Sequence, residues 1–232
     1  MSMRRAAVAL ACALLAGPLL AGCGSDEPEE SAQELLDRAK TTLDETETAH
    51  FVLTSENAPE EGTSLVGGEG DLARPASFEG TLKVRVAGST LDLDVVSVDG
   101  TVYAQLPFAS SFSVIDPAQF GFGDPGALLD PDTGISQLLA QAGSATLGDE
   151  KRVGGDVVRE VSAELPGDLV EQILVSQDPS RPVEALLSIE SETGELRRVE
   201  LTGPFFSTDD ATFVLELSDF GADVDISAPP TG

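Results

Sequence analysis

Tryptophan is absent from this chain, which has one tyrosine (Tyr103), one histidine (His50) and two cysteines. Each shortage removes a class of chemistry. With one tyrosine and no tryptophan, the aromatic platforms that hold sugar rings beside paired carboxylates are missing, so glycan cleavage is not expected. His50 would be the only base for a Ser-His-Asp arrangement. No Gly-x-Ser-x-Gly elbow accompanies it, and its place between Ala49 and Phe51 reads as structural. Basic side chains number 13 against 41 acidic ones, a net charge of −28. That balance argues against nucleic acid and against adhesion of the protein surface to anionic lipid, and solubility accounts for it. The acidic pairs Asp92 and Asp94, Asp209 and Asp210, and Asp223 and Asp225 lack the glycine and terminal glutamate of a calcium loop. Gly67-Gly68-Glu69-Gly70 lacks the Lys-Ser/Thr of a phosphate loop and reads as a bend or bulge. No enzyme, metal site or cofactor is expected.

Long apolar runs are also scarce. The longest, Ala6 to Leu20, is too short for a membrane-spanning helix, which needs about 20 apolar residues, and Gly17-Pro18 interrupts it. It follows Arg4 and Arg5 and precedes Leu20-Ala21-Gly22-Cys23, which matches the bacterial lipobox. Residues 1–22 therefore read as a signal peptide. Cys23 reads as the acceptor of an S-diacylglycerol group, with an N-acyl chain possible on the same residue. Cys12 lies in the leader, so no disulfide is available to the exported chain. Residues 23–30, rich in Asp, Glu and Pro, read as a lipidated flexible tether, and 31–232 as one domain. The expected location is the cell envelope, anchored by lipid to the outer face of the cytoplasmic membrane.

Within the domain, Ser31 and Glu34 form a capping-box pattern ahead of Leu35, Leu36, Ala39 and Leu43, which predicts an amphipathic helix to about Glu45. The period then changes to two. Alternation in Leu82–Val86 and Leu91–Val95, with Asp99-Gly100 as a hairpin turn before Val102–Leu106, predicts antiparallel strands. Pro107 to Asp132 is irregular and carries Phe108, Phe112, Phe120 and Phe122 between turn formers. Asp132 or Thr133 is expected to cap a helix bearing Ile135, Leu138, Leu139 and Ala142, with Gly143 ending it. Strands return at Val157–Ala163, a short helix at Leu169–Leu174, and strands again at Val183–Ile189, Leu196–Leu201 and Phe213–Leu217. The total is roughly ten strands and about three helices, with one apolar and one acidic face to each strand.

Four segments taken in order resemble a known family: Asp99–Ala104, Asp116–Gln119, Asp130–Gly134, and Leu217–Gly221 through Val224-Asp225-Ile226 to Pro229-Pro230. Together with the lipobox they are similar to the LppX/LprG-type actinobacterial lipoproteins, closest to the LprG branch, from about Ala32 to Pro230. The resemblance implies an α+β fold, a strongly bent antiparallel half-barrel sheet like LolA and LolB, backed by helices around an apolar cavity. It also implies a monomeric carrier of acylated lipids, including triacylated glycolipids and triacylglycerol, which works with an exporter of the major facilitator class. The loops here are richer in Asp and Glu than the family pattern, which bears on head-group preference more than on fold.

A carrier is physically sensible, because exposing one chain of about 16 carbons to water costs on the order of 12 kcal/mol. The expected cavity lining is Leu82, Val84, Val86, Leu91, Leu93 and Val95 from the strands, with Leu138 and Leu139 from the helix. Periodicity alone assigns these positions equally to a filled core. The stretch Pro107–Asp124 reads either as a rim over the cavity mouth or as satellite packing. The alternative function is a non-catalytic interaction lipoprotein of the envelope with a filled core, and a weaker third is an envelope hydrolase.

Overall fold

Alternation dominates the chain, and its consequence is one sheet. The computed structural model describes residues 30–59, 62–153, 155–206 and 210–232. The leader, Cys23 and most of the tether lie outside the described residues.

The first helix, α1 (Ala32–Glu45), forms as its sequence predicts. Glu34 N donates to Ser31 Oγ at 3.3 Å, and Ser31 N donates back to Glu34 Oε2 at 2.9 Å, which satisfies two of the free N-terminal donors. At the other end the Arg74 guanidinium donates to the carbonyls of Thr46 and Leu43 at 2.6 and 3.0 Å, replacing bonds the helix cannot make for itself. Leu35, Leu36, Ala39 and Leu43 are buried against the sheet.

Six strands follow: β1 (Thr48–Glu56), β2 (Thr63–Ala73), β3 (Ser77–Val86), β4 (Ser89–Val98), β5 (Thr101–Gln105) and β6 (Ser113–Val114). A crossover contains two 3-10 turns, Pro117–Phe120 and Pro125–Leu129, and the helix α2 (Ile135–Ala140). Then come β7 (Gly143–Val153), β8 (Asp156–Leu165), the one-turn helix α3 (Gly167–Val170), β9 (Val183–Glu190), β10 (Leu196–Gly203) and β11 (Ala211–Ser218). All eleven strands join one open sheet in the order β6-β5-β4-β3-β2-β1-β11-β10-β9-β8-β7, antiparallel at every described pairing. One meander therefore runs from the middle of the sheet out to β6 and the other from the β7 edge back to the middle, where β1 and β11 zip them together from His50–Ser218 to Glu56–Thr212.

Two local expectations are corrected. The cap of α2 is Gly134, and neither Asp132 nor Thr133 serves. Asp130 instead accepts from the amides of Asp132 and Thr133 and from the Thr133 hydroxyl, closing the preceding turn. Gly143 does not end a helix but opens β7, an edge strand whose residues are exposed or half-buried. Its pairing to β8 is broken by two register shifts, which blunt the free edge against further strand addition.

One sheet face carries the core, where Phe51, Leu72, Phe78, Val161, Leu187 and Val199 meet α1, α2 and the crossover. The other face is largely polar. There His50 Nδ1 lies 2.7 Å from Asp71 Oδ1 across β1 and β2, and Asp94 accepts from Thr81 at 3.2 Å. His50 is thus a cross-strand partner of Asp71.

Candidate functional site

The inward residues at the centre of the sheet do not all find packing partners. Phe51 and Leu53 of β1, Leu65 of β2, Leu82 of β3, Val199 and Leu201 of β10, and Phe213 and Leu215 of β11 form the floor of a cleft. Its roof is built by two stretches of chain. The crossover supplies Phe122, Gly123, Asp124, Pro125 and Leu128, followed by Ile135 and Leu138, and the link after α3 supplies Ile173 and Leu174. Every lining side chain except that of Asp124 is apolar.

The roof is a clasp. Gly123 N donates to Ile173 O at 3.0 Å, and Phe122 and Leu174 form an antiparallel bridge, so the two straps are joined by main-chain bonds above the cleft. A side chain at Gly123 would run into the Gln172 carbonyl, so this close approach requires glycine. The crossover strap is also tied down. Asp124 Oδ1 accepts from Ser97 Oγ at 2.5 Å and from Gly126 N at 2.9 Å. Ser97 is wholly buried on β4. The only carboxylate of the lining therefore holds the strap against the sheet.

The cleft encloses about 630 Å3 of atom-free space including its opening, but only about 60 Å3 is wide enough to take a water-sized group. That is a narrow crevice, well below the roughly 300–1,000 Å3 of small-molecule pockets. Its roof is held by the Phe122–Leu174 bridge and the Gly123–Ile173 bond between the straps and by the Ser97–Asp124 bond to the sheet.

Of the residues expected to line a cavity, Leu82 and Leu138 do so. Val84, Leu93, Val95 and Leu139 are buried in the surrounding core, and Val86 and Leu91 are half-buried further along their strands. The turn Pro125–Leu129 packs over β2, β3 and β4, filling the space above their inner faces. Sequence reasoning missed the contribution of β1, β10 and β11, because nothing in the periodicity says that β1 and β11 are neighbours. Of the four basic side chains near the strand ends, Lys83 is exposed on β3 and the other three are engaged away from the cleft. Arg85 donates to the carbonyls of Ala58 and Pro59, Arg197 pairs with Asp156 and Glu195, and Arg198 pairs with Glu200 and Glu216. Among the described residues no cluster of His, Cys, Asp and Glu has metal-binding geometry, and no helix is long and apolar enough to cross a membrane.

Comparison with known proteins agrees with this architecture. The profile of the LppX_LprAFG lipoprotein family matches residues 31–226. The chain is 32% identical to the lipoarabinomannan carrier protein LprG of Mycobacterium tuberculosis, over 98% of this chain and 96% of that protein. It is 27% identical to the protein of the same name from Mycolicibacterium smegmatis, over 97% and 94%. Among solved structures, LprF from Mycobacterium bovis superposes with a TM-score of 0.69 at 20% identity, covering 87% of this chain and 97% of that one. LppX from Mycobacterium tuberculosis gives 0.62 at 12%, covering 84% and 98%. The last two likenesses establish the fold, a large open antiparallel sheet with few helices.

Proposed function

We propose that this chain, which belongs to the LppX_LprAFG lipoprotein family, is a non-catalytic carrier that shields the acyl chains of an envelope lipid. The observation that carries this reading is the apolar cleft at the sheet centre, roofed by two straps that meet through a single short bridge. An acyl chain requires contact with methylene and aromatic carbon and few directional bonds, and the cleft lining offers that. The relatives' name, lipoarabinomannan carrier, supports a glycolipid as the cargo. Acylation of Cys23 would tether the protein to the outer face of the cytoplasmic membrane, since two chains hold where one is marginal. Transfer onward through a major-facilitator exporter rests on the family resemblance.

The narrowness of the cleft favours one other reading, an interaction lipoprotein with a filled core. Native mass spectrometry with lipid extraction, on the full chain carrying Cys23→Ala and made in a mycobacterial host, separates the two. A di- or triacylated lipid near one per protein is expected, and Leu82→Trp is expected to abolish it while far-ultraviolet circular dichroism stays unchanged. Protein that is free of lipid and refuses added glycolipid refutes the carrier.

A further inference from the structure

The largest exposed hydrophobic side chain in the described residues is far from idle packing. Phe108 is fully exposed (106% of its reference area), with φ at +72°, at the tip of the turn that follows β5. Leu106 (41%), two residues before it, and Val114 (62%), on β6 opposite Tyr103, are exposed as well. We propose that this tip is a wedge that enters the interfacial layer of a lipid bilayer. The proposal goes beyond the carrier reading and does not require it.

Three observations converge on a lipid surface. The turn is built to hold the ring outward: Ala109 N donates to Leu106 O at 2.9 Å, and Gln105 Nε2 donates to Ala109 O at 2.8 Å. A bulky residue in the left-handed region is uncommon and is kept where surrounding bonds impose it. A fully exposed aromatic ring held out from a turn, with Leu106 exposed two residues away, suits contact with an apolar phase. The second observation is charge. No charged side chain occurs between Asp99 and Asp116, on a chain with 41 acidic residues. Carboxylates elsewhere on the surface resist approach to phosphate head groups, so an uncharged apolar tip flanked by Ser110, Ser111 and Ser113 is suited to cross that layer. It also carries no Lys or Arg with which to grip an acidic protein. The third is continuity. The segment that leaves the wedge through β6 runs directly into the strap bearing Phe122 and Asp124, so one stretch of chain presents the tip and roofs the cleft.

Because the chain lacks tryptophan, Phe108→Trp introduces a lone indole reporter. The full chain carrying this substitution is mixed with phosphatidylcholine vesicles with and without bromine on the acyl chains. The expected result is a blue-shifted emission, quenching by the brominated lipid and loss of access to acrylamide. Adding Leu106→Ser and Val114→Ser should weaken this partitioning by about tenfold. Replacing part of the lipid with phosphatidylglycerol should weaken it further, and added salt should not abolish it on zwitterionic vesicles. An emission at position 108 that vesicles leave unchanged, with acrylamide access intact, overturns the wedge. So does a shift produced only by an added envelope protein. The carrier reading is judged separately, by the lipid extracted from the cleft, so either can fail while the other stands.

Discussion

Gly70 and Gly80 face each other across β2 and β3, with the ring of Phe78 against both. A Cβ on Gly80 would stand 2.6 Å from the Gly70 Cα and 2.7 Å from Phe78 Cζ, closer than real contacts allow. Phe51, the partner of Gly70 on its other side, brings its ring centroid to 5.3 Å from that of Phe78. Two aromatic rings thus lie down on a side-chain-free patch of the inner face, where the sheet can bend sharply.

Gly80→Ala should therefore destabilise the domain by about 3 kcal/mol through overpacking against backbone, with Gly70→Ala close behind. Gly143→Ala, whose added methyl meets only ordinary contacts, should be nearly neutral. Urea titrations followed by circular dichroism compare the three. Equal midpoints would mean that the close approach of β2 and β3 at Gly70 and Gly80 does not require glycine.

The clasp gives a reversible lock. Bridge partners in an antiparallel pair have Cα atoms about 4.5–5.5 Å apart, within disulfide reach. Phe122→Cys with Leu174→Cys, oxidised, should slow uptake of a fluorescent fatty acid by on the order of tenfold or more, since only the opened population binds. Reductant should restore it. Uptake that is indifferent to oxidation would mean that ligand enters by another path.

Asp124→Ala removes the pin between the crossover strap and β4, leaving the buried Ser97 hydroxyl without its partner. A loss of about 1–3 kcal/mol is expected. The same variant should take up the fatty acid faster than the unaltered protein, a kinetic gain that a merely weakened core does not predict. Stopped-flow fluorescence reads it.

Acid should loosen the helical cover through Asp44. Its carboxylate accepts from Lys40 and from the buried Ser136 hydroxyl of α2, so it couples α1 to α2. Partial burial works to raise its pKa, but the bonds from Lys40 and Ser136 and the nearby charges of Lys40 and Arg74 outweigh this and hold it below the ordinary value. A carboxyl depressed in the folded state stabilises above its unfolded pKa of about 3.9, and this stability is lost as pH falls through the folded value. Asp44→Asn should cost about 1 kcal/mol at neutral pH and should flatten the acid limb of the stability curve, measured by thermal melts from neutral to strongly acidic pH.

Legibility from sequence followed burial on one face. The helix α1 was readable because its cap and apolar stripe are both local, and the hairpin at Asp99-Gly100 because its turn chemistry is specific. β7 was not, because an edge strand such as Gly143–Val153 buries little on either face and so shows no alternation. The cleft was half readable. Alternation correctly turned Leu82, Leu93 and Val95 inward, yet only the fold of the crossover decides which inward residues are covered. Pro125–Leu129 fills the ground over β4, and the gap falls instead over β1, β10 and β11. The distinction between filled and hollow rests on contacts made by residues far away in the chain.

The meeting of β1 with β11 makes the first strand wait for the last. As the chain is made from its N-terminus, β1 to β5 can assemble through short hairpins, but β1 keeps one open edge until Ala211–Ser218 arrives. That edge offers unpaired amides and carbonyls to any passing strand. The closing contact spans almost the whole domain, the kind of long-range pairing that slows folding. A chain cut short before Ala211 would lose the seam and leave that edge of β1 unpaired, open to strands of its own copies. The last strand acts as a quality seal, completing the sheet only once Ala211–Ser218 has been made.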